Sequence, residues 1–154
     1  MILFINGSPN KDGNTARLAR EFIGDRPYEQ LNLAEHKVYG YGQSYGDDDF
    51  EDVLARIEAA DTLVVGSPVY WHNLSGMLRN LLDRFYGPVR EGSMSGKTLY
   101  FVFQGGAPTR EMLDWGEYTM KRFAALYGMT YGGMVDNTHE ARALSKKLAQ
   151  SRLA

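Results

Sequence analysis

The sequence contains no cysteine. Disulfide bonds, thiolate metal sites and a cysteine nucleophile are therefore excluded together. Long apolar runs are also missing, since none approaches the roughly 18 residues that a membrane-spanning helix needs. The opening run MILFI has no basic residue before it and no cleavage-like site after it. We interpret it as a β-strand rather than a signal peptide, and we expect a soluble, cytoplasmic protein.

A charge excess of either sign is absent as well. The 17 Lys and Arg residues nearly balance the 19 Asp and Glu residues, which predicts no broad basic face for nucleic acid and no strongly acidic face. With 154 residues, 44% of them hydrophobic, the chain is expected to form one domain over residues 1–154. We find neither an internal repeat nor a linker.

Strand-like segments alternate with helix-like ones along the chain. Apolar residues recur at i, i+3, i+4 and i+7 within Phe50–Ile57 and Leu78–Phe85, which indicates helices. The predicted strands are Ile2–Asn6, Tyr28–Leu33, Thr62–Gly66, Thr98–Phe103 and, more weakly, Thr130–Val135. This alternation is typical of an α/β fold with a doubly wound parallel sheet and helices on both of its faces.

The pattern of apolar residues in each strand indicates the strand order. The first, third and fourth are continuous apolar runs, as expected of strands buried on both faces, whereas YEQLNL in the second alternates as at an edge. In the flavodoxin-like order 2-1-3-4-5, the second strand lies at an edge and the first, third and fourth lie inside. We therefore predict a five-stranded flavodoxin-like sheet.

The loop after the first strand, within FINGSPNKDGNTARL, is suited to an anion. In such sheets ligands bind beyond the carboxyl ends of the strands, and a helix N-terminus adds unpaired N–H groups there. Glycines permit close approach and short polar side chains can donate hydrogen bonds. These residues are Gly7, Ser8, Asn10, Gly13, Asn14 and Thr15.

Two competing motifs are absent from this loop. A triphosphate loop needs Lys after its second glycine, but Asn14 follows Gly13. The dinucleotide fingerprint G-x-G-x-x-G is missing too. We therefore favour a single terminal phosphate, with a structural helix cap as the alternative. Asp47–Asp49 likewise fits capping of the next helix better than a metal site, and we assign no metal ligands.

Two further loops at the same edge offer a flat wall and backbone amides. Pro68 fixes a turn ahead of Val69, Tyr70, Trp71 and His72, and large aromatic side chains there are well placed to meet a flat ligand. Core packing or a dimer contact is the alternative for each aromatic residue. After the fourth strand, Gln104 can donate or accept, and the glycines beside it let backbone amides approach a ligand. Those glycines are Gly105 and Gly106.

These motifs resemble a known family. GSPNKDGNT is similar to the phosphate loop G-S-P-x-x-x-G-N-T, and SPVYWHNLSGMLRNLLDR is similar to S-P-V-Y-W-x-x-x-S-G-x-L-K-x-x-x-D-R, of the flavodoxin-like NAD(P)H-dependent FMN reductases. Arg79 stands where Lys is common, which keeps the charge. Some relatives carry a cysteine cluster for an iron–sulfur centre after the second strand, whereas this chain has HKVYGYGQSYGDDD there.

The resemblance implies noncovalent FMN with NADH or NADPH as the electron donor. The implied contacts to the phosphate come from Ser8, Asn10, Asn14 and Thr15. The isoalloxazine ring would be lined by Pro68, Val69, Tyr70 and Trp71. Its pyrimidine end would be approached by Gln104, Gly105 and Gly106.

The function expected from this resemblance is hydride transfer from NAD(P)H through FMN to a small acceptor such as a quinone, a nitro or azo compound, or free flavin. No side chain is required as an acid or base. His72 is a candidate for stabilising negative charge on the ring, with packing or solvation of this histidine as the favoured alternative. A flavodoxin-type electron carrier is the alternative function.

The resemblance also implies a homodimer. Trp115, Tyr118 and Tyr127, in a helix predicted over Arg110–Tyr127, are candidate interface residues, with core packing as their alternative.

Overall fold

A computed structural model of the protein describes residues 1–150. Its five strands are β1 (Ile2–Asn6), β2 (Tyr28–Asn32), β3 (Thr62–Pro68), β4 (Thr98–Gln104) and β5 (Thr130–Val135). Its α-helices are α1 (Asn14–Ile23), α2 (Phe50–Ala59), α3 (Gly76–Asp83), α4 (Arg110–Leu126) and α5 (Thr138–Gln150), and a short 3-10 helix, Leu33–Glu35, follows β2.

The strands form one parallel sheet in the order 2-1-3-4-5, which confirms the predicted fold and topology. Three strand ends differ from the prediction. β2 ends at Asn32, one residue early, because Leu33 begins the 3-10 helix. The ends of β3 and β4 differ for a shared reason. β3 continues through Ser67 and Pro68 because these residues pair with Phe103 and Gln104 of β4. The longer β3 brings its following loop up against the end of β4, at the edge of the sheet where ligands bind.

Side chains of each central strand alternate between two apolar cores. On one face Leu3, Ile5 and Phe101 pack against α2, α3 and α4. On the other face, Phe4 and Val64 pack against α1 and α5. Because both faces are covered, apolar residues follow one another along most of each central strand, which accounts for their continuous apolar sequences.

The edge strands and the last helix differ from this pattern. β2 has a single buried residue, Leu31, as its alternating sequence predicted. Helix α5 was not predicted, because its sequence is largely polar. Among its described side chains, Ala141, Leu144 and Leu148 contact the core. No helix within residues 1–150 combines the length and the apolarity needed to cross a membrane.

A long loop over residues 36–49 connects the 3-10 helix to α2. Asp48 holds it to α3 through two hydrogen bonds from the Arg84 guanidinium, of 2.5 and 3.1 Å. Asp48 Oδ1 also accepts a hydrogen bond of 2.8 Å from the N–H of Phe50, the first residue of α2. Asp49 occupies the expected N-cap position but makes no side-chain capping hydrogen bond, and Asp48 bonds the first amide of the helix instead. The Arg84 guanidinium holds the pKa of the Asp48 carboxyl below its usual range.

Candidate functional site

The loop between β1 and α1 is organised by Asn6, a fully buried polar residue at the end of β1. The Asn6 amide donates to the backbone oxygen of Asn10 (3.2 Å) and to Asn32 Oδ1 (3.1 Å), while its oxygen accepts from the N–H of Ser8 (3.1 Å). Ser8 Oγ in turn accepts from the N–H of Asn10 (3.1 Å). The loop is therefore shaped before any ligand binds. A buried Asn closing an apolar strand was the available sequence signal, and our sequence analysis missed it.

Helix α1 begins without a side-chain cap. Its N-cap is Gly13, and the first hydrogen bond of the helix runs from the N–H of Arg17 to the Gly13 carbonyl. The three preceding amides, of residues 14–16, have no acceptor within the helix. By contrast, Ser75 and Thr109 cap α3 and α4 with their hydroxyl groups. A ligand oxygen can take the place of the missing cap on α1.

The loop after β3 is closed by a two-residue turn. Tyr70 and Asn73 exchange two backbone hydrogen bonds, of 2.9 and 3.0 Å, across Trp71 and His72. Both central residues have positive φ, 47° for Trp71 and 66° for His72. Such turns strongly prefer Asn-Gly, because a side chain strains the left-handed conformation. The strained turn holds the Trp71 indole in solvent, 94% exposed.

The turn forms one wall of a cleft with the loop after β4. This β3–β4 loop cleft has a volume of about 270 Å³ and is lined by Val69, Trp71, His72, Gly105, Gly106 and Met112, among others. A Cβ built on Gly105 would lie 3.1 Å from Val69 Cβ, whereas one on Gly106 would meet no atom within 4 Å. Val69 thus lies against the backbone of Gly105, while the backbone of Gly106 is open to the surroundings.

A second cleft, the α1–α5 cleft, adjoins the first at Gly105. It measures about 380 Å³, and Asn14, Arg17, Gln104 and Asp136 are among its lining residues. The Gln104 side chain faces this cleft and not the β3–β4 loop cleft. Its Nε2 donates a 3.0 Å hydrogen bond to Thr15 Oγ1, which joins the loop after β4 to the start of α1.

Asp136, which lines the α1–α5 cleft, lies next to Glu140, whose Oε2 accepts a 3.4 Å hydrogen bond from the N–H of Asp136. Burial, and secondarily a hydrogen bond with Asp136, raises the pKa of Glu140, while Arg110 opposes this shift.

Several of the predicted site residues lie apart from the two clefts. Asn10 and Gly13 line a different depression, together with Asn32, on the β2 side of the first loop. Pro68 is buried beneath Val69, and Ser8 is buried within its own loop. Tyr70 is 44% exposed beside the Trp71–His72 turn and does not line the β3–β4 loop cleft.

The residues present fit FMN on two structural grounds. The uncapped N-terminus of α1 suits a phosphate, because its free amides can donate to the phosphate oxygens. The loop before it is tight, since a Cβ on Gly13 would lie only 2.9 Å from Asn10 Cβ. The adjoining β3–β4 loop cleft suits a flat ring. Ligands for a second, iron–sulfur cofactor are absent, since the chain has no cysteine.

Curated relatives match part of this chain. The Bacillus subtilis protein YwqN, provisionally named an NAD(P)H-dependent FMN-containing oxidoreductase, is 27% identical over 68% of this chain and 66% of its own length. An iron–sulfur flavoprotein of Archaeoglobus fulgidus is 33% identical over 54% of this chain and 47% of its own length. The chain thus spans between about half and two thirds of the length of these relatives.

Solved structures share the fold over almost the whole chain. The Trp repressor binding protein from Bacillus subtilis has a TM-score of 0.75 at 23% identity, covering 96% of this chain and 98% of its own. An FMN-dependent NADH-azoreductase from Bacillus anthracis, solved in complex with FMN, has a TM-score of 0.71 at 17% identity and covers 99% of both chains. At these identities the likeness establishes the flavodoxin-like fold.

The family described as NADPH-dependent FMN reductase matches residues 1–141. This match confirms the family, the cofactor and the class of enzyme that the motifs GSPNKDGNT and SPVYW predicted, at the level of the family. The chain belongs to the NADPH-dependent FMN reductase family.

Proposed function

We propose that this chain, as a single domain, binds FMN noncovalently and passes electrons from NADH or NADPH to a small flat acceptor. Candidate acceptors are a quinone, a nitro or azo compound, or free flavin. One observation carries the proposal: a narrow cleft with an aromatic wall adjoins, at Gly105, a cleft that includes the uncapped start of α1. The first suits a ring and the second suits its phosphorylated tail. The bound flavin supplies the hydride and electron chemistry.

The protein's own part is binding and orientation. Amides of residues 14–16, with the side chains of Asn14 and Thr15, would hold the phosphate at the positive end of α1. Ser8 and Asn10 would support the loop from within, through their mutual hydrogen bond. Gly13 lets the loop turn tightly into the helix, and a larger residue there would collide with Asn10.

The ring would lie between two loops of different character. Val69 and Trp71 offer an apolar wall, with Pro68 buried below and Tyr70 beside them. The amides of Gly105 and Gly106 lie opposite and can donate to oxygen atoms at the edge of the ring. His72 lines the same cleft and would donate to a negatively charged ring.

Purified protein titrated with FMN and then mixed anaerobically with NADH or NADPH tests the proposal. We expect FMN fluorescence to be quenched on binding, and the visible flavin absorbance to bleach on addition of at least one nucleotide and return on addition of menadione. Binding of FMN without bleaching by either nucleotide would favour the electron-carrier alternative. Failure to bind FMN would contradict both functions.

A substitution at the start of α1 tests the phosphate position. Thr15→Asp should weaken FMN binding by about 100-fold or more, because like charges about 4 Å apart interact by ~4 kcal/mol at an effective dielectric constant of about 20. Thr15→Asn, nearly the same shape without the charge, is the matched control and should bind far more tightly than Thr15→Asp. Equal affinity of the two variants would show that the phosphate lies elsewhere.

We further propose that the protein is a homodimer that associates through α3 and α4. A cleft of about 330 Å³ between these helices, the α3–α4 cleft, carries the exposed aromatic residues Tyr86 and Tyr118. Asp83 and Arg122 line it as well, and neither side chain has an ion-pair partner among the described residues. A twofold axis would pair Asp83 of each copy with Arg122 of the other. Tyr127, by contrast, is buried in the core.

A charge swap tests this interface. Arg122→Asp should shift the protein from dimer to monomer in sedimentation velocity, and the double variant Asp83→Arg with Arg122→Asp should restore the dimer. A monomeric wild type, or a dimer unaffected by Arg122→Asp, would contradict the proposed surface.

A cytoplasmic location is also proposed, supported by the cytoplasmic supply of NADH and NADPH.

A further inference from the structure

We infer that Gln104 is a positioning residue for the flavin phosphate, acting through Thr15, and not a contact of the flavin ring. The inference rests on the proposed binding of FMN and extends it to a residue 89 positions away from Thr15 in the chain. The family resemblance implied the opposite, a place at the pyrimidine end of the ring. Three features of the Gln104 and Thr15 side chains support the inference.

First, the side chain of Gln104 is directed away from the ring. Gln104 ends β4, opposite Pro68 of β3, and its backbone oxygen accepts a 2.8 Å hydrogen bond from the N–H of Val69. The side chain lines the α1–α5 cleft together with Asn14 and Arg17. Its neighbour Gly105 lines both clefts and therefore lies at the boundary between the proposed ring site and the proposed phosphate site.

Second, Thr15 is held in one orientation. The residue is 1% exposed, and its methyl carbon Cγ2 would lie 2.8 Å from a Cβ built on Gly66. The methyl group therefore packs against the glycine of β3, and the hydroxyl faces Gln104. Because helical Cα–Cβ bonds point towards the N-terminus, the hydroxyl of the second residue of α1 is directed back towards the loop.

Third, the hydrogen bond from Gln104 leaves the Thr15 hydroxyl free to act as a hydrogen-bond donor. Thr15 Oγ1 accepts from the Gln104 amide, which leaves its own hydrogen to donate. Among the described residues no acceptor takes that hydrogen. A phosphate oxygen beyond the uncapped start of α1 is an acceptor in the right place. A hydroxyl that already accepts a hydrogen bond is also a stronger donor.

Comparing FMN with riboflavin, which has the same ring but no phosphate, tests the inference. We expect Gln104→Leu to raise the Kd for FMN about tenfold, the order expected for one lost hydrogen bond to a charged group. The Kd for riboflavin should change less than twofold. Gln104→Glu should raise the Kd for FMN further, because a carboxylate only accepts, takes the Thr15 hydrogen and adds negative charge.

A double-mutant cycle tests the route through Thr15. Thr15→Val keeps the shape of the side chain but removes the hydroxyl, and adding Gln104→Leu to it should weaken FMN binding no further. Gln43→Leu, which removes a glutamine from the loop over residues 36–49, is the matched control and should leave the Kd unchanged. Urea unfolding of each apo variant shows whether the fold is intact.

Three outcomes would overturn the inference while leaving FMN binding in place. Equal losses of FMN and riboflavin affinity in Gln104→Leu would assign the residue to the ring. An unchanged Kd for FMN would assign it no part in binding. Additive effects in the cycle would separate it from Thr15. If the wild type binds neither FMN nor riboflavin, the proposed function itself fails, and the inference fails with it.

Discussion

The Trp71–His72 turn should be less stable than a turn with glycine in its second position. Both residues lie in the left-handed region, at φ of 47° and 66°, yet neither is glycine, asparagine or aspartate. We therefore predict that His72→Gly stabilises the apo protein against unfolding. Strain of this kind is found where a function requires the side chain, and here both side chains line the β3–β4 loop cleft.

The size of the effect follows from two opposing contributions. A side chain in the left-handed region costs about 1–2 kcal/mol. Glycine loses more backbone entropy on folding, which costs about 0.5–1 kcal/mol. His72 is exposed and has no side-chain hydrogen bond among those of the described residues, so few contacts are lost. The free energy of unfolding should rise by about 0.5–1 kcal/mol, or roughly 1–4 °C in Tm for a chain of this length.

Urea unfolding followed by circular dichroism measures this change, with His36→Gly as the matched control. His36 has an extended backbone, at φ of −125°, so glycine there brings only the entropy loss and should destabilise. FMN affinity should fall in His72→Gly although the protein is more stable, because the cleft loses part of its wall. If His72→Gly destabilises as much as His36→Gly does, the turn is not strained and the reasoning is refuted.

Two further substitutions probe the fold around the site. Asp48→Asn should lower the free energy of unfolding near neutral pH by about 2 kcal/mol, since it breaks the two-bond contact with Arg84. Because that guanidinium lowers the pKa of Asp48, the stabilisation is present above about pH 4 and is lost as the pH falls through the lowered pKa, so wild type and variant should converge in acid. Gly116→Ala should destabilise by about 1–2 kcal/mol in thermal unfolding, because its Cβ would lie 2.3 Å from Phe103 Cε2. Gly76→Ala, whose Cβ meets no atom within 4 Å, is its control and should be neutral or stabilising.

Local sequence was sufficient for most of the fold. β1 and β5 occupy the predicted residues because each ends at a turn signal that the sequence displays. The last two residues of β3 depend instead on pairing with β4, about 36 residues away, which no local pattern reports. α5 was missed because its sequence THEARALSKKLAQ is largely polar, although Ala141, Leu144 and Leu148 recur at helical spacing.

The site was predictable as three loops but not as a set of contacts. Composition placed aromatic residues and glycines at the correct edge of the sheet, because the carboxyl ends of parallel strands lie together. The direction of each side chain depends on backbone conformation. The residue types in Tyr70–His72 do not predict that Trp71 and His72 adopt the left-handed conformation. The Thr15–Gln104 bond likewise joins segments that only the folded sheet brings together.

The two ends of the site differ in how firmly they are held, and this difference has a functional reason. Buried hydrogen bonds tie the first loop to the third strand: Ser75 Oγ donates to the Gly7 carbonyl at 2.7 Å, and the N–H of Ser75 donates to Ser67 Oγ at 2.9 Å. A phosphate gains most from such preorganised donors, because none of them has to be reoriented on binding. The Trp71 side chain, by contrast, is 94% exposed and makes no hydrogen bond among the described residues. Under the proposed function, such a side chain can meet flat acceptors of different shape.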